Sequence, residues 1–274
     1  MPELPEVETV KNILKLDIVG KKILDVKVNY DKILKNVDKD EFITSLTGQK
    51  FLDIKRYGKY LIFILDDYYL LGHMRMEGKY FLMHDEEISK HDHIIFYFKD
   101  DNLRYNDTRK FGTMHLFKRS EYEYDDLFKI EPLSKMGKEP FDIKKEELYQ
   151  FIKASARPIK SVLLDQSIIS GLGNIYVDEV LYMSHIHPNT ISKHLNIEDC
   201  EKLIDNAVIV LNKAITLGGT TIHSFQSSHG ITGRFQNELL VHTKDKCSIC
   251  GANITKIKVG GRGTYVCENC QKIK

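Results

Sequence analysis

Four cysteines near the end of the chain form two pairs, Cys247 with Cys250 and Cys267 with Cys270. The spacing is C-x2-C, a gap of sixteen residues, then C-x2-C. Four thiolates so arranged suit one tetrahedral metal ion. No coordination position is left open, so the metal is expected to be structural rather than catalytic. Zinc (Zn2+) is the expected ion, and an iron–sulfur cluster is the alternative that spacing leaves open. Between the pairs, Ile254, Ile257 and Val259 suit a strand, and VGGRGT turns the chain with Arg262 among three glycines. Such a tip can press against a phosphate backbone, the guanidinium making a bidentate contact. The plainer reading is a solvated arginine in a turn. From Lys244 to Lys274 seven Lys and Arg stand against two acids, a net of +5, which favours the phosphate contact.

Two other stretches carry reactive or anion-binding types. QSIISGLGNIYVDE, residues 166–179, places Gly171 and Gly173 between two apolar helical segments. Asn174 is placed to cap the second helix, where free N–H groups and the helix dipole can receive a phosphate. Lys160, on the preceding helix, could add a salt-sensitive contact. Most helical pairs of this kind only pack, so the turn gains meaning from the basic hairpin beside it. The chain opens MPELPEVETV. Pro5 suits the first helical position, and Glu6 and Glu8 put negative charge in the first turn. That reading leaves Pro2 and Glu3 without a role.

The elements that must hold these residues follow from periodicity. The chain has 274 residues, 42% of them hydrophobic and 29% charged, which suits one large or two medium globular domains. The net charge of +1 announces no partner by itself. No apolar run is long enough to cross a membrane, and the start lacks the apolar core of a signal peptide. Five cysteines fit a reducing compartment, hence a cytoplasmic protein. After the first helix, strands are expected within 21–30, 51–54, 60–65, 68–71, 80–83, 94–98 and 113–117, with a short helix over 40–46 and a turn over 99–102. This is an antiparallel β domain opened by one helix, a sandwich or flattened barrel. Pro132, Gly137 and Pro140 mark 131–142 as a linker. The period then changes, and 144–155, 158–166, 174–184 and 197–217 suit helices. The expected organisation is a β domain over 1–130, the linker, a helical domain over 143–239 and a four-cysteine module over 240–274, an α+β fold overall.

With these residues in place the chain resembles the formamidopyrimidine-DNA glycosylase family. PELPEVET at the start, NDTRKFG at 106–112, GLGNIYVDE at 171–179 and VGGRGT within the cysteine hairpin carry the resemblance, in the family's order. It implies an N-terminal β-sandwich, a C-terminal helical domain with a helix-two-turn-helix element and a zinc finger, and duplex DNA in the cleft between them. It also implies removal of the initiator methionine. Pro2 then carries a free secondary amine that attacks C1′ of a damaged nucleotide, expels the base and leaves an iminium from which the strand is cleaved by β- and δ-elimination. Glu3 becomes the general acid–base group. Glu6 would hold the N-terminal ammonium or touch the lesion, its plainer role being charge at a helix N-terminus. Lys59 in RYGKYL would lie near the lesion phosphates, and Arg262 completes the catalytic set. Met76, Arg109 and Phe111 would fill the gap left by the everted base, Phe111 as a wedge and Arg109 on the orphaned cytosine. His73, Lys110, Lys160 and Asn174 are further expected DNA contacts.

The expected activity is therefore that of a bifunctional glycosylase and AP lyase acting on oxidised purines or abasic sites in duplex DNA, as a monomer. An endonuclease VIII-type enzyme for oxidised pyrimidines and a non-catalytic DNA-binding protein are the alternatives; PELPE and RKF favour the purine enzyme, and the presence of Pro2 and Glu3 favours catalysis. Two positions depart from the family pattern. His223 stands in the 218–236 stretch where an arginine is common, and His242 stands where a tyrosine that supports phosphate binding is common. Substrate preference is thus less legible than reaction type.

Overall fold

The computed structural model describes residues 2–220 and 233–274. The chain divides into two compact units, Met1–Ser134 with Gly218–Gly233, and Lys135–Leu217 with Arg234–Lys274. Among the described residues no helix is long and apolar enough to cross a membrane.

The first unit opens with α1 (Leu4–Ile18), whose buried stripe of Leu4, Val7, Val10, Leu14 and Ile18 repeats every three or four residues. The Glu3 N–H donates to Glu6 Oε2 at 2.9 Å, satisfying one of the N–H groups that a helix start leaves without a partner. Then come β1 (Asp25–Val28), α2 (Lys39–Leu46), β2 (Phe51–Tyr57), β3 (Tyr60–Leu65), β4 (Tyr68–His73), β5 (Lys79–Met83), β6 (Asp92–Tyr97), β7 (Asn102–Asn106) and β8 (Thr113–Lys118). They form two antiparallel four-stranded sheets, in the orders β1-β6-β7-β5 and β2-β3-β4-β8. One core joins α1, α2 and the strands of both sheets, with Phe51, Phe63 and Phe96 in edge-to-face contact at its centre.

Strand β7 corrects the sequence reading, which places only a turn at 99–102 and no strand after it. NLRYN does alternate, but its polar face is buried instead of solvated. Arg104 is buried, with Asp92 Oδ2 at 3.2 Å and the Glu86 and Glu87 carbonyls and Asn102 Oδ1 as acceptors. β2 also runs past its expected end at residue 54, to Tyr57.

The second unit holds α3 (Lys145–Ile152), α4 (Ile159–Leu163), α5 (Asn174–Met183), α6 (Ile197–Thr216) and the hairpin of β9 (Thr255–Val259) and β10 (Arg262–Val266). α4 stops short of the expected residue 166. Asp165 Oδ1 accepts from the Ser167 hydroxyl, and the Gln166 side chain bridges Gly171 N–H and the Leu172 carbonyl, so the chain turns there. α5 packs against α4, α6 and β10. The Glu179 carboxylate on α5 accepts from the N–H groups of Leu240, Val241 and His242, which fixes the segment leading to the cysteines.

Candidate functional site

Pro2 and the carboxylates of Glu3 and Glu6 are all buried at the start of α1. Glu6 is anchored on both oxygens: Oε2 takes the Glu3 N–H, and Oε1 takes the N–H and hydroxyl of Thr220 at 2.8 and 3.1 Å. A Cβ at Gly219, already at φ +76°, would stand 2.6 Å from Glu6 Oε1. Glu6 therefore holds the backbone on either side of the helix start, which extends the plainer of its two expected roles.

Lys59 sits in a two-residue hairpin turn between β2 and β3, where Gly58 takes φ +55° as the first central residue. Arg56 ties that turn to α1. Its Nη1 donates to the Gly58 carbonyl at 3.0 Å and its Nε to Glu8 Oε2 at 2.8 Å. Burial pushes the Glu8 carboxyl up, but Lys11 and Arg56 outweigh it and hold the group below the usual carboxylate range. Lys59 is buried, as is His73 at the end of the adjacent β4. Burial, with Arg75 and Lys59 nearby, takes His73 down to about 3, so the ring is neutral near pH 7. Its Nδ1 accepts the Arg75 N–H at 2.9 Å, which leaves the ring proton on Nε2 as a donor.

The β7–β8 loop carries Arg109, Lys110 and Phe111 on one buried carboxylate. Asp107 Oδ2 accepts from Phe111 N–H at 2.9 Å and Gly112 N–H at 2.8 Å, and Oδ1 from Arg109 N–H at 3.0 Å. The loop must close on glycine, because a Cβ at Gly112 would lie 1.7 Å from Tyr105 Oη. Phe111 is 52% exposed and lies outside the core cluster of this unit. The Arg109 guanidinium lies 4.7 Å from its centre. Lys110, at φ +58°, instead extends over the Tyr30 ring at 4.7 Å. Thr108 Oγ1 donates to the Glu77 carboxylate, which joins this loop to the turn that presents half-buried Met76. The sequence reading missed Asp107, although D in NDTRKFG is the residue that shapes the loop.

In the second unit two expectations change. Lys160 is not available to a phosphate. It is 0% exposed, its Nζ paired with Asp178 Oδ1 at 2.6 Å and donating to Thr264 Oγ1 at 2.7 Å and the Gly263 carbonyl at 3.3 Å. A fully buried ammonium needs such a carboxylate, and that pairing takes the lysine out of solvent. Asn174 does not cap α5 either: Gly173 holds the cap position and Asn174 is the first helical residue. Asn174 Nδ2 donates to the Gly263 carbonyl at 3.0 Å. Together Lys160, Asn174 and Asp178, which also accepts the Tyr265 N–H, fasten β10, the strand of the hairpin that begins at exposed Arg262. His242 joins this brace through Nδ1, 2.7 Å from Asp178 Oδ2, with its ring edge-on to Tyr265. His223 lies outside the described residues.

The Sγ atoms of Cys247, Cys250, Cys267 and Cys270 all lie within 4.8 Å of one another, with Cys247–Cys270 at 3.7 Å and Cys250–Cys267 at 3.5 Å. Zinc–sulfur bonds of about 2.3 Å put tetrahedral sulfurs about 3.8 Å apart, so the four thiols fit such an ion.

Three family models match the chain: the formamidopyrimidine-DNA glycosylase N-terminal domain over residues 1–114, its H2TH domain over 133–226, and a zinc finger found in FPG and IleRS over 244–273. The formamidopyrimidine-DNA glycosylase of Oceanobacillus iheyensis is 45% identical over 282 residues, spanning 100% of this chain and 99% of that protein. The Bacillus cereus enzyme of the same name is 46% identical over 279 residues, 99% of each. Among solved structures, Lactococcus lactis Fpg with DNA containing an abasic site superposes with a TM-score of 0.90 at 42% identity, over 99% of this chain and 100% of that one. The wild-type protein of that organism with N7-benzyl-Fapy-dG DNA gives 0.91 at 43%, with the same coverage.

Proposed function

The chain belongs to the formamidopyrimidine-DNA glycosylase family, and on that premise we propose that Pro2, freed by removal of Met1, is the nucleophile of a glycosylase and AP lyase acting on oxidised purines in duplex DNA. The observation that carries this reading is the buried start of α1, where Pro2 and Glu3 stand beside a Glu6 fixed through both of its oxygens. A free α-amino group titrates near 7.7–8.0, so a useful fraction is neutral at physiological pH. Its lone pair attacks C1′. The glycosidic bond breaks with its electrons going to the base, which takes a proton and leaves. The attacking nitrogen gives up its proton, and its lone pair then forms the C1′=N bond as the C1′–O4′ bond breaks and its electrons go to the ring oxygen, which takes a proton. The resulting iminium acidifies C2′. Loss of a C2′ proton expels the 3′ phosphate, and a second elimination expels the 5′ phosphate. Glu3 is the group that protonates the sugar oxygen and later moves protons at the ring. Glu6 is committed to holding the N-terminus.

Lys59 and the neutral His73, through Nε2–H, contact phosphates beside the lesion, and Asn174 and Arg262 contact the backbone from the second unit. Lys160 acts on Arg262 only by fastening the hairpin. Met76, Arg109 and Phe111 enter the gap left by the everted base. Support for the last assignment is the exposed Phe111 ring on a loop pinned by Asp107. The four cysteines hold one zinc ion, which contributes folding energy to the hairpin and takes no part in the chemistry. The protein works as a cytoplasmic monomer.

Borohydride reduction during turnover tests the proposal. Wild-type protein with a mass lacking Met1 is expected to become covalently trapped on 8-oxoguanine duplex, Pro2→Gly to trap poorly, and protein with a blocked N-terminus not at all. Equal trapping by the blocked protein would remove Pro2 from the mechanism and point to a lysine.

A further inference from the structure

The cysteine cluster has a hydrogen-bond partner outside its own loops. Tyr182, in the last turn of α5, is 1% exposed, and its hydroxyl oxygen lies 3.0 Å from Cys247 Sγ. The ring packs with Val241, Cys247 and Cys267 in one small core, with Ile254 and Tyr265 against it. Cys247 is itself buried, whereas Cys250 is exposed. Water can serve as a donor to Cys250, but Cys247 depends on donors that the protein supplies.

We propose that Tyr182 is a positioning residue of the metal centre, its hydroxyl donating to the Cys247 thiolate. A metal-bound thiolate carries no proton, so in the loaded protein the hydrogen of this bond comes from the phenol. The bond fixes the direction of one sulfur lone pair and draws off part of the sulfur's charge, as partners of metal ligands commonly do. It also connects the metal to the helix that fastens the hairpin. Four residues toward the N-terminus of α5, Asp178 accepts the Tyr265 N–H, and at its first turn Asn174 donates to the Gly263 carbonyl. The cysteine module is thus held to α5 at three levels, and the contact at the metal end is through a ligand itself.

This inference rests on the zinc reading, and metal analysis of the purified full-length protein tests that reading alone, with one zinc per chain expected. Tyr182→Phe keeps the ring and removes only the hydroxyl, so packing and hydrogen bonding separate. Transfer of zinc to a chromogenic chelator is expected to be about 10-fold faster in this variant, in the range found for such partners. In cobalt-substituted protein the thiolate-to-metal charge-transfer band should shift. Tyr265→Phe, which removes a hydroxyl from a ring beside the same core, should leave both readouts at wild-type values. If Tyr182→Phe folds poorly, Tyr182→Met, an adaptable apolar replacement, is expected to show the same loss of retention. Wild-type zinc release and an unmoved band in a folded Tyr182 variant would overturn the proposal.

Discussion

Asp107 offers a test in which structure and function can be read from one substitution. Its side chain is fully buried and accepts three N–H groups of the loop that presents Arg109, Lys110 and Phe111. The Arg109 and Phe111 N–H groups are partly exposed and can find water when the carboxylate is removed. The Gly112 N–H is buried, and an unsatisfied donor costs about 1–3 kcal/mol. Asp107→Ala is therefore expected to lose roughly 1–3 kcal/mol. Asp107→Asn keeps one acceptor oxygen and can still take the Gly112 N–H, for a loss of about 1 kcal/mol. Urea denaturation followed by circular dichroism measures both. The functional effect has its own signature. A loop that no longer holds Phe111 outward should slow eversion of a damaged base from intact duplex, while an abasic site needs no such help. Excision of 8-oxoguanine by Asp107→Asn should fall several-fold further than cleavage of a pre-formed abasic site. If the alanine variant unfolds within about 0.5 kcal/mol of wild type, the range of ordinary surface substitutions, and treats both substrates alike, the carboxylate does not organise this loop and the assignment of Phe111 as the wedge loses its support.

Other expectations follow from single side chains. Arg109→Ala should narrow the ratio of excision opposite cytosine to excision opposite adenine, because a bidentate base contact is worth about 1–3 kcal/mol of discrimination. An unchanged ratio at fixed salt would mean that Arg109 does not read the partner base. His73 has a folded-state pKa near 3 against an ordinary 6.5, so the unfolded chain binds its proton first as pH falls. Its contribution to stability is complete above pH 6.5 and is lost between 6.5 and about 3, at up to about 1.4 kcal/mol per pH unit. The difference in unfolding free energy between wild type and His73→Asn should slope across that window, and a flat difference would show that the ring is not buried neutral.

Part of the candidate site was legible because its residue types are unusual where they occur: four cysteines stand at metal spacing, and a proline in second position is left without a packing role. Met76 and Phe111 were not, since read alone they suit a core and only the family resemblance makes them candidates for the gap. The residues that hold the site were not legible, for one physical reason. Asp107, Asp178 and Glu179 are acids, and an acid in a sequence reads as solvated surface unless its partner is known. Those partners are backbone N–H groups, a lysine and a histidine, and for the two acids of α5 they are brought near by the fold and not by any local pattern: Asp178 meets Lys160 from eighteen residues away, His242 from sixty-four and Tyr265 from eighty-seven. Lys160 shows the same blindness in reverse. Its charge suggested a phosphate, but the carboxylate that claims it lies on the next helix. Strand β7 was lost to this ambiguity as well, since Arg104 on an alternating segment looks like a solvated face until Asp92 is placed against it.

The consequence reaches His242. Read as an isolated departure, it suggests a weakened phosphate contact. In the fold its Nδ1 shares Asp178 with Lys160 and the Tyr265 N–H, so the imidazole belongs to the same buried brace beneath Arg262. A substitution at this position therefore acts first on where the hairpin tip stands. Under the proposed function, its effect on DNA would be carried by Arg262, at the start of the strand held by the carboxylate that Lys160, His242 and the Tyr265 N–H share.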